Sequence, residues 1–554
     1  MSFKFVSSKS RKLSIIAAIL AFVFVLGACG QAAPAPAPAP AEPAPAPAAT
    51  PAPAAAETPV EEAAAVDYQG EVVWVTMSEP PALDPHFEND AASSDINTQM
   101  FEGLMTFTPE PDNRLVPLLA TDHPTVSADG LVYTFNLRQG VYFHDGTPFN
   151  ADAVRISYER LLDRTRERVA PALFVLEMMD RIEVVDDYTV NIHLSHAFAP
   201  FPAHLTHQVG KIIAPSAIAE EEAGGRSVSE NPVGTGPFML DYRVHGDYIR
   251  LVPNPNHWRA TPAISIRWTI VPDTDTRMAM LETGQANGLL GTSADGPRLN
   301  AMSGVDVRMV ETASVNYIGF NVQSGPTSDR RVRQAISMAI DLDAIIWGLA
   351  EGNASPAVGP IAPLVSYSAA AIAQPLPFDP VRARELLVEA GHADGLTINY
   401  WSNTGNAMRA RAGELIQDNL REIGIELILT QVDWADYLVR TGAGEHDMFY
   451  LGWNTMTMDA DYGISPLLHT NNLGPAGNRA FFSDPRVDAL LDEGATTTSS
   501  ARRAEVYREI TEILIYEAPM LFLFHPHSPI ATNGINGMES DFNARPYFWN
   551  VTLR

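Results

Sequence analysis

The chain has 554 residues, 46% hydrophobic and 19% charged, with a formal net charge of −29, long enough for a large two-lobed body or more than one domain. Lys4, Lys9, Arg11 and Lys12 precede Cys29, so a chain starting at Cys29 holds 33 basic residues against 66 acidic ones. Such a surface repels phosphate backbones and argues against nucleic acid as a partner, while a lone cysteine excludes an intrachain disulfide and a thiolate metal cluster.

Residues 1–12 are basic and residues 13–26 almost unbrokenly apolar. That run is shorter than the ~20 residues of a membrane-spanning helix and fits a signal-peptide core, placing the signal peptide at residues 1–28. It ends in Leu26-Gly27-Ala28-Cys29, which resembles the bacterial lipobox. The resemblance implies lipidation of Cys29 and a membrane anchor that does not span. Residues 29–65 are then the lipidated cysteine and an Ala/Pro-rich tether with little to bury. Extended at ~3.1 Å per residue, it reaches on the order of 100 Å.

The body starts with a strand at 71–75 and a proline-rich loop, Ser78-Glu79-Pro80-Pro81-Ala82-Leu83-Asp84-Pro85. A helix is expected at 97–104, ending near Gly103. In the stretch 127–162, Leu131, Tyr133, Phe135 and Leu137 alternate with Val132, Thr134, Asn136 and Arg138, the period-two mark of a strand. Gln139-Gly140 turns the chain, Val141-Tyr142-Phe143 starts a second short strand, and Asn150 or Asp152 caps the following helix. A strand pair at 181–185 and 189–194 comes next.

His193, His196, His204 and His207 then invite a metal reading, since neutral imidazoles are common ligands. Pro200 and Pro202 separate the two pairs and no Cys, Asp or Glu completes a set, so no metal site is expected; His525 and His527, flanking a proline, stand likewise. Gly234-Thr235-Gly236 leads into a strand rather than a helix, with no Gly-Lys-Ser/Thr after it, so it is no phosphate loop; its glycines suit a tight turn. Beyond a strand at 265–271 and a helix at 273–282, the chain enters a second α/β region. There the helix at 329–349 presents its arginines as a solvated face. The strand at 396–400, helix at 406–423 and strand at 425–429 argue for a parallel α/β lobe. A strand at 447–453, a helix at 502–516 and an apolar strand at 520–524 follow.

Several of these segments carry a resemblance. Gly130, Tyr133-Thr134-Phe135, Leu137-Arg138, Gly140-Val141, Phe143-His144-Asp145-Gly146 and Pro148-Phe149 resemble the signature of family 5 extracellular solute-binding proteins, the peptide, nickel and glutathione receptors of ABC importers. The opening loop at 78–85, Phe101-Glu102-Gly103-Leu104, the block at 231–238, the run at 251–258 and the arginine-rich helix agree with it. The run from Leu467-Leu468-His469 through Gly477-Asn478-Arg479 to Leu491 looks like the glutathione and oligopeptide branch.

The resemblance implies an α/β, two-lobed periplasmic-binding-protein fold, type II-like with the extra subdomain of the peptide-binding family. A hinge joins lobe I (66–272, returning at 519–554) and lobe II (273–518). It implies an extracytoplasmic, monomeric receptor without cofactor or catalytic residues, which hands a peptide or glutathione-like solute to permease subunits. Ser78 and Glu79 would lie against the ligand, and Trp453 would wall the pocket, followed by Asn454, Thr455 and Met456. In dipeptide and oligopeptide receptors an aspartate three residues after that tryptophan binds the peptide ammonium; Met456 stands there, with Asp459 and Asp461 nearby for an amine. Asn403, Arg409 or Arg411 would meet a carboxylate, arginine best through its bidentate fork. A nickel- or metal-chelate receptor shares the fold. A peptide hydrolase is the rival from another class, but no Gly-x-Ser-x-Gly, His-Glu-x-x-His or Walker sequence supports it.

Overall fold

The computed structural model describes residues 70–554 apart from residues 89 and 166–171. The signal peptide, Cys29 and the tether lie outside the described residues. In chain order, the elements that position the site begin with β1 (Gly70–Thr76), α1 (Ala91–Met100), β2 (Val132–Asn136), α2 (Ala151–Leu162), β3 (Met179–Asp186) and β4 (Thr189–Leu194). Next come β5 (Phe238–Val244), β6 (Tyr248–Pro253), β7 (Ile264–Ile270), β8 (Gly288–Leu290), β9 (Asp306–Glu311) and β10 (Ser314–Phe320). After these follow β11 (Leu396–Asn403), α3 (Ala407–Glu422), β12 (Ile425–Val432), α4 (Trp434–Gly442), β13 (Met448–Asn454), α5 (Ala460–Leu468), α6 (Ser500–Glu517) and β14 (Met520–Thr532).

Among the described residues twelve strands share one mixed sheet, whose main path runs β12-β11-β13-β10-β14-β8-β1-β7-β6-β5. β1 lies parallel to β7, with Trp74 opposite Trp268, and β11 lies parallel to both β12 and β13. Strand β14 is thirteen residues long, roughly 40 Å at the usual strand rise. Its first part pairs with β10, and its last part pairs with β8 and β9. One strand therefore belongs to both lobes. Lobe I packs around Trp74, Trp268 and Phe548. In lobe II, neighbouring residues of one strand bury on opposite faces: Tyr317 and Phe449 in one core, Ile318 and Tyr450 in the other. β2, β3 and β4 form a separate four-stranded sheet with the short strand Thr125–Val126, giving the extra subdomain.

The lobe limits are assigned from this pairing. β8 and β9 pair with the far end of β14, and Leu281 and Leu289 pack against Val75 and Ala531. We therefore propose a first crossing between β9 and β10, at Thr312-Ala313, in place of a limit at 272/273. The return crossing then falls inside β14 near Pro526, whose carbonyl accepts from the Thr312 N–H and hydroxyl.

Other local expectations are refined. Asn150 caps α2 by accepting from the Ala153 N–H at 3.0 Å. The expected second strand at Val141 is only an isolated bridge, Tyr142 to Pro148. α1 spans Ala91–Met100 rather than 97–104, started by the Asp90 side chain on the Ser93 N–H. The glycines at 234 and 236 are required by crowding and not by their dihedrals: an added Cβ would lie 2.2 Å from the Met100 carbonyl oxygen and 2.5 Å from the Met100 carbonyl carbon, respectively. Arg333 does not belong to a solvated face. It is buried and donates to the carbonyls of Thr327, Ser328, Glu517 and Ala518, closing the end of α6.

Candidate ligand-binding cleft

In lobe II, β11 ends at Asn403 and α3 starts two residues beyond a tight turn, with Asn406 accepting from the Arg409 N–H at 3.0 Å. That geometry brings Arg409 back over the strand end. Its Nη1 donates to Asn403 Oδ1 at 2.7 Å, and the guanidinium carbon lies 5.5 Å from the Trp434 ring and 5.6 Å from the Tyr450 ring. Arg409 Nε is buried and makes no hydrogen bond. Arg479 donates from Nε to Thr441 Oγ1 at 3.1 Å, and burial pulls its pKa down. Both guanidinium groups oppose the upward push of burial on the phenols of Tyr317 and Tyr437, so they share one neighbourhood. Among the described residues, neither has a carboxylate partner within 4 Å. A half-buried guanidinium without a counter-ion offers N–H donors to a carboxylate.

The other expected residues fall in different surroundings. Arg411 is exposed and pairs with Glu414 at 2.9 Å. Ser78 is exposed. The Glu79 carboxylate accepts from Arg243 Nε at 2.9 Å, the Gly246 N–H at 2.9 Å and the His245 ring at 3.0 Å. Against the cost of burial, these partners hold its pKa below the usual range.

Trp453 packs against the cores of both lobes, and its Nε1 donates to the Tyr462 carbonyl at 2.8 Å. Their rings lie 5.4 Å apart, and Tyr462 stacks on Phe174 of lobe I at 6.1 Å. Asn454 Oδ1, Thr455 Oγ1 and Thr457 Oγ1 are buried without a partner. Met456 Sδ lies 3.6 Å from Asn543 Nδ2. The loop after Trp453 thus reaches across to lobe I.

Asp459 is gripped by Arg503 through two bonds of 2.7 Å, and Arg503 lies 4.4 Å over the Tyr367 ring. The charge of Asp459 is therefore already matched within the protein. Asp461 is buried with a lesser partner, Ser465 Oγ at 3.0 Å, and burial together with the Asp459 charge lifts it to about 7. His204 Nε2 of lobe I approaches its Oδ2 to 3.8 Å, and burial holds that imidazole at about 4. The raised carboxyl means that folding takes up a proton between the unfolded value near 4 and the folded value near 7. Ionised Asp461 accordingly costs stability increasingly across that window. Asp461→Asn is expected to match the native chain near pH 4 and to exceed it in unfolding free energy at pH 8; equal stability at both ends would contradict this.

The histidines do not converge. His193 sits on Glu183 at 2.6 Å, His204 on the Val175 carbonyl at 3.0 Å and His525 on the Ser314 carbonyl at 2.9 Å. Among the described residues, no three His, Cys, Asp or Glu side chains come together to hold a metal. Sequence reasoning missed Arg479 and Asn543. Arg479 stood in plain view in the Gly477-Asn478-Arg479 run, but nothing local ties it to Arg409, seventy residues earlier.

Two α/β lobes sharing a strand, with guanidinium groups that lack counter-ions and aromatic rings between them, form a cleft suited to a small solute with an acid group. The model for family 5 of the bacterial extracellular solute-binding proteins, middle region, matches residues 114–475, and the chain belongs to that family. It is 33% identical over 452 residues to the glutathione-binding protein GsiB of Pectobacterium atrosepticum, covering 80% of this chain and 86% of that one. The fold is shared with DppA of Helicobacter pylori, an ABC transporter-associated periplasmic binding protein in complex with the peptide STSA. That match has a TM-score of 0.78 and 26% identity, over 88% of this chain and 99% of that one. A dipeptide-binding protein of Pseudoalteromonas sp. SM9913, in complex with Met-Leu, matches with a TM-score of 0.78 and 25% identity, over 87% and 100%. No helix among the described residues is long and apolar enough to cross a membrane.

Proposed function

We propose that this protein is the extracytoplasmic receptor of an ABC importer, anchored by lipid at Cys29, which captures a peptide or glutathione-like solute between its lobes and delivers it to permease subunits. It works as a monomer and by binding alone, without turnover. The strands crossing at Thr312-Ala313 and Pro526 form the hinge, and the lobes close on the solute. Arg409 with Asn403, joined by Arg479, receives a carboxylate; Trp453 walls the cleft; Asn454 and Thr455 offer buried oxygens to the solute backbone. Of the expected contacts, Arg409 and Asn403 are kept, and Arg411, which faces solvent with Glu414, is set aside.

The observation that carries this reading is the half-buried guanidinium of Arg409, held over the end of β11 by Asn403, with a buried Nε that has no partner and no carboxylate beside it among the described residues. The names of the similar proteins, glutathione-binding and dipeptide-binding, support the solute class. A thermal-shift screen tests it. Protein refolded to remove carried ligand is exposed to di- to pentapeptides, reduced and oxidised glutathione, nickel with and without histidine, and short sugars. A solute at about 100 times its Kd adds ~2.7 kcal/mol, a readable shift. A shift with a peptide or glutathione, recovered intact, is expected; a shift with nickel–histidine alone would transfer the protein to metal-chelate uptake.

A further inference from the structure

Lysine is nearly absent from this chain. Beyond Lys12 it occurs once, at Lys211, and every other cation of the body is an arginine. Lys211 is 6% exposed. Its backbone bridges Gly103, and its carbonyl accepts from the His86 ring at 3.0 Å, which fixes it in the wall of lobe I. Its ammonium has no hydrogen-bond acceptor and no carboxylate within 4 Å among the described residues.

The charged groups that face Lys211 are Glu102, Asp541, Arg545 and His207. Both acids are engaged elsewhere. Glu102 accepts from Thr235 Oγ1 and Trp258 Nε1, each at 2.9 Å. Asp541 accepts from the N–H groups of Asn543 and Arg545, at 2.8 and 3.0 Å, and pairs with Arg545 Nη1 at 3.3 Å. An ammonium on a side chain only 6% exposed, with no protein acceptor among the described residues, is poorly matched until an acid group reaches it.

The surroundings say where that partner would come from. Asn543, in the same wall, touches Met456, and the His207 ring lies 6.0 Å from Tyr462, which packs on Trp453. Lys211 is thus on the lobe I side of the loop that closes the cleft. Across the cleft Asp459 is matched by Arg503, and within lobe I Glu79 is matched by Arg243. Around the loop after Trp453 and the end of β11, Arg409, Arg479 and Lys211 make no ion pair among the described residues.

We propose that Lys211 is the lobe I binding group for an acidic end of the solute, so that the cleft selects peptide-like solutes with two carboxylates, one held by Arg409 and Arg479 and the other by Lys211. The assignment rests on the peptide-like reading of the cleft. It deepens that reading, because a simple dipeptide carries one carboxylate and leaves one of these cations unmatched.

The test uses the purified protein and two matched pairs of probes: glutathione with its glycine amide, and Ala-Glu with Ala-Gln. Isothermal titration at pH 7 is expected to show the acid member of a pair binding at least about tenfold tighter. Lys211→Met should erase that preference by weakening the acid member of each pair, and should raise the melting temperature or leave it where it is, never lower it. Lys211→Arg keeps the charge and should keep the preference. Burial lowers the Lys211 ammonium to about 8, so the native preference should fade between pH 7 and 9, and that of Lys211→Arg should not. An acid-to-amide ratio unmoved by Lys211→Met, or unmoved by pH in the native protein, overturns the assignment while the peptide-like reading stands. Failure of the native protein to bind any of the four probes overturns both.

Discussion

Replacing Arg503 with methionine is expected to remove about 3–5 kcal/mol of folding stability, the largest single effect in this protein's cleft. Arg503 is 4% exposed, and it gives two bonds of 2.7 Å to Asp459, one of 2.8 Å to the Gly494 carbonyl and one of 3.2 Å to the Tyr507 hydroxyl. Without it Asp459 stays buried beside Asp461, two carboxyl groups with no cation between them. The isolated charge, rather than the lost bond, sets the magnitude. The double replacement Asp459→Leu with Arg503→Met should therefore recover much of the loss, because the uncompensated carboxylate is gone. Urea unfolding at pH 7 measures both. A loss below about 1 kcal/mol for Arg503→Met would show that water reaches the pair and that the loop after Trp453 is not held this way.

The second large effect falls on binding. Arg409→Gln should weaken a carboxylate-bearing solute such as glutathione by about 10- to 150-fold, the worth of a charge-assisted hydrogen bond in a desolvated site, and should leave the melting temperature within a degree or two. Among the described residues only Asn403 Oδ1 receives a side-chain hydrogen bond from Arg409, so folding depends on it little. Arg409→Lys should recover only part of the affinity, because an ammonium cannot present the planar fork. Isothermal titration with glutathione and a tripeptide measures this. Unchanged affinity would remove Arg409 from the cleft's binding groups.

The parts of the fold legible in the sequence were those with strong local periodicity. β2 with its alternating faces, α2 with Asn150 in front, and the β11–α3–β12 unit all follow from residues near one another. β14 was harder. Pro526 and Pro529 interrupt the pattern after Phe524, and prolines ordinarily end a strand. Here their carbonyls still accept from Thr312 and Gly291, so pairing continues through them and the strand reaches the other lobe. α1 was also hidden, since Ala91, Ala92, Ser93 and Ser94 carry no apolar stripe.

The site divides in the same way. Arg409 entered only as one of three candidates, with Asn403 and Arg411, that the family resemblance implied for a carboxylate. The pairing of Asp459 with Arg503 joins residues 44 apart, and no spacing rule anticipates it. Asp459 therefore looked available for an amine when its charge was already matched. Lys211 lies within a stretch where the histidines draw attention, and its isolation as the one lysine of the body is a compositional signal that periodicity does not weigh.

The most direct measurement is isothermal titration of ligand-stripped protein with reduced glutathione and a set of di- and tripeptides, with the solute recovered afterwards and weighed by mass spectrometry. The account predicts one-to-one saturable binding of at least one of them and recovery of the solute unchanged. Saturable binding of none, or recovery of a cleaved product, would contradict a receptor that captures peptide-like solutes and passes them on intact.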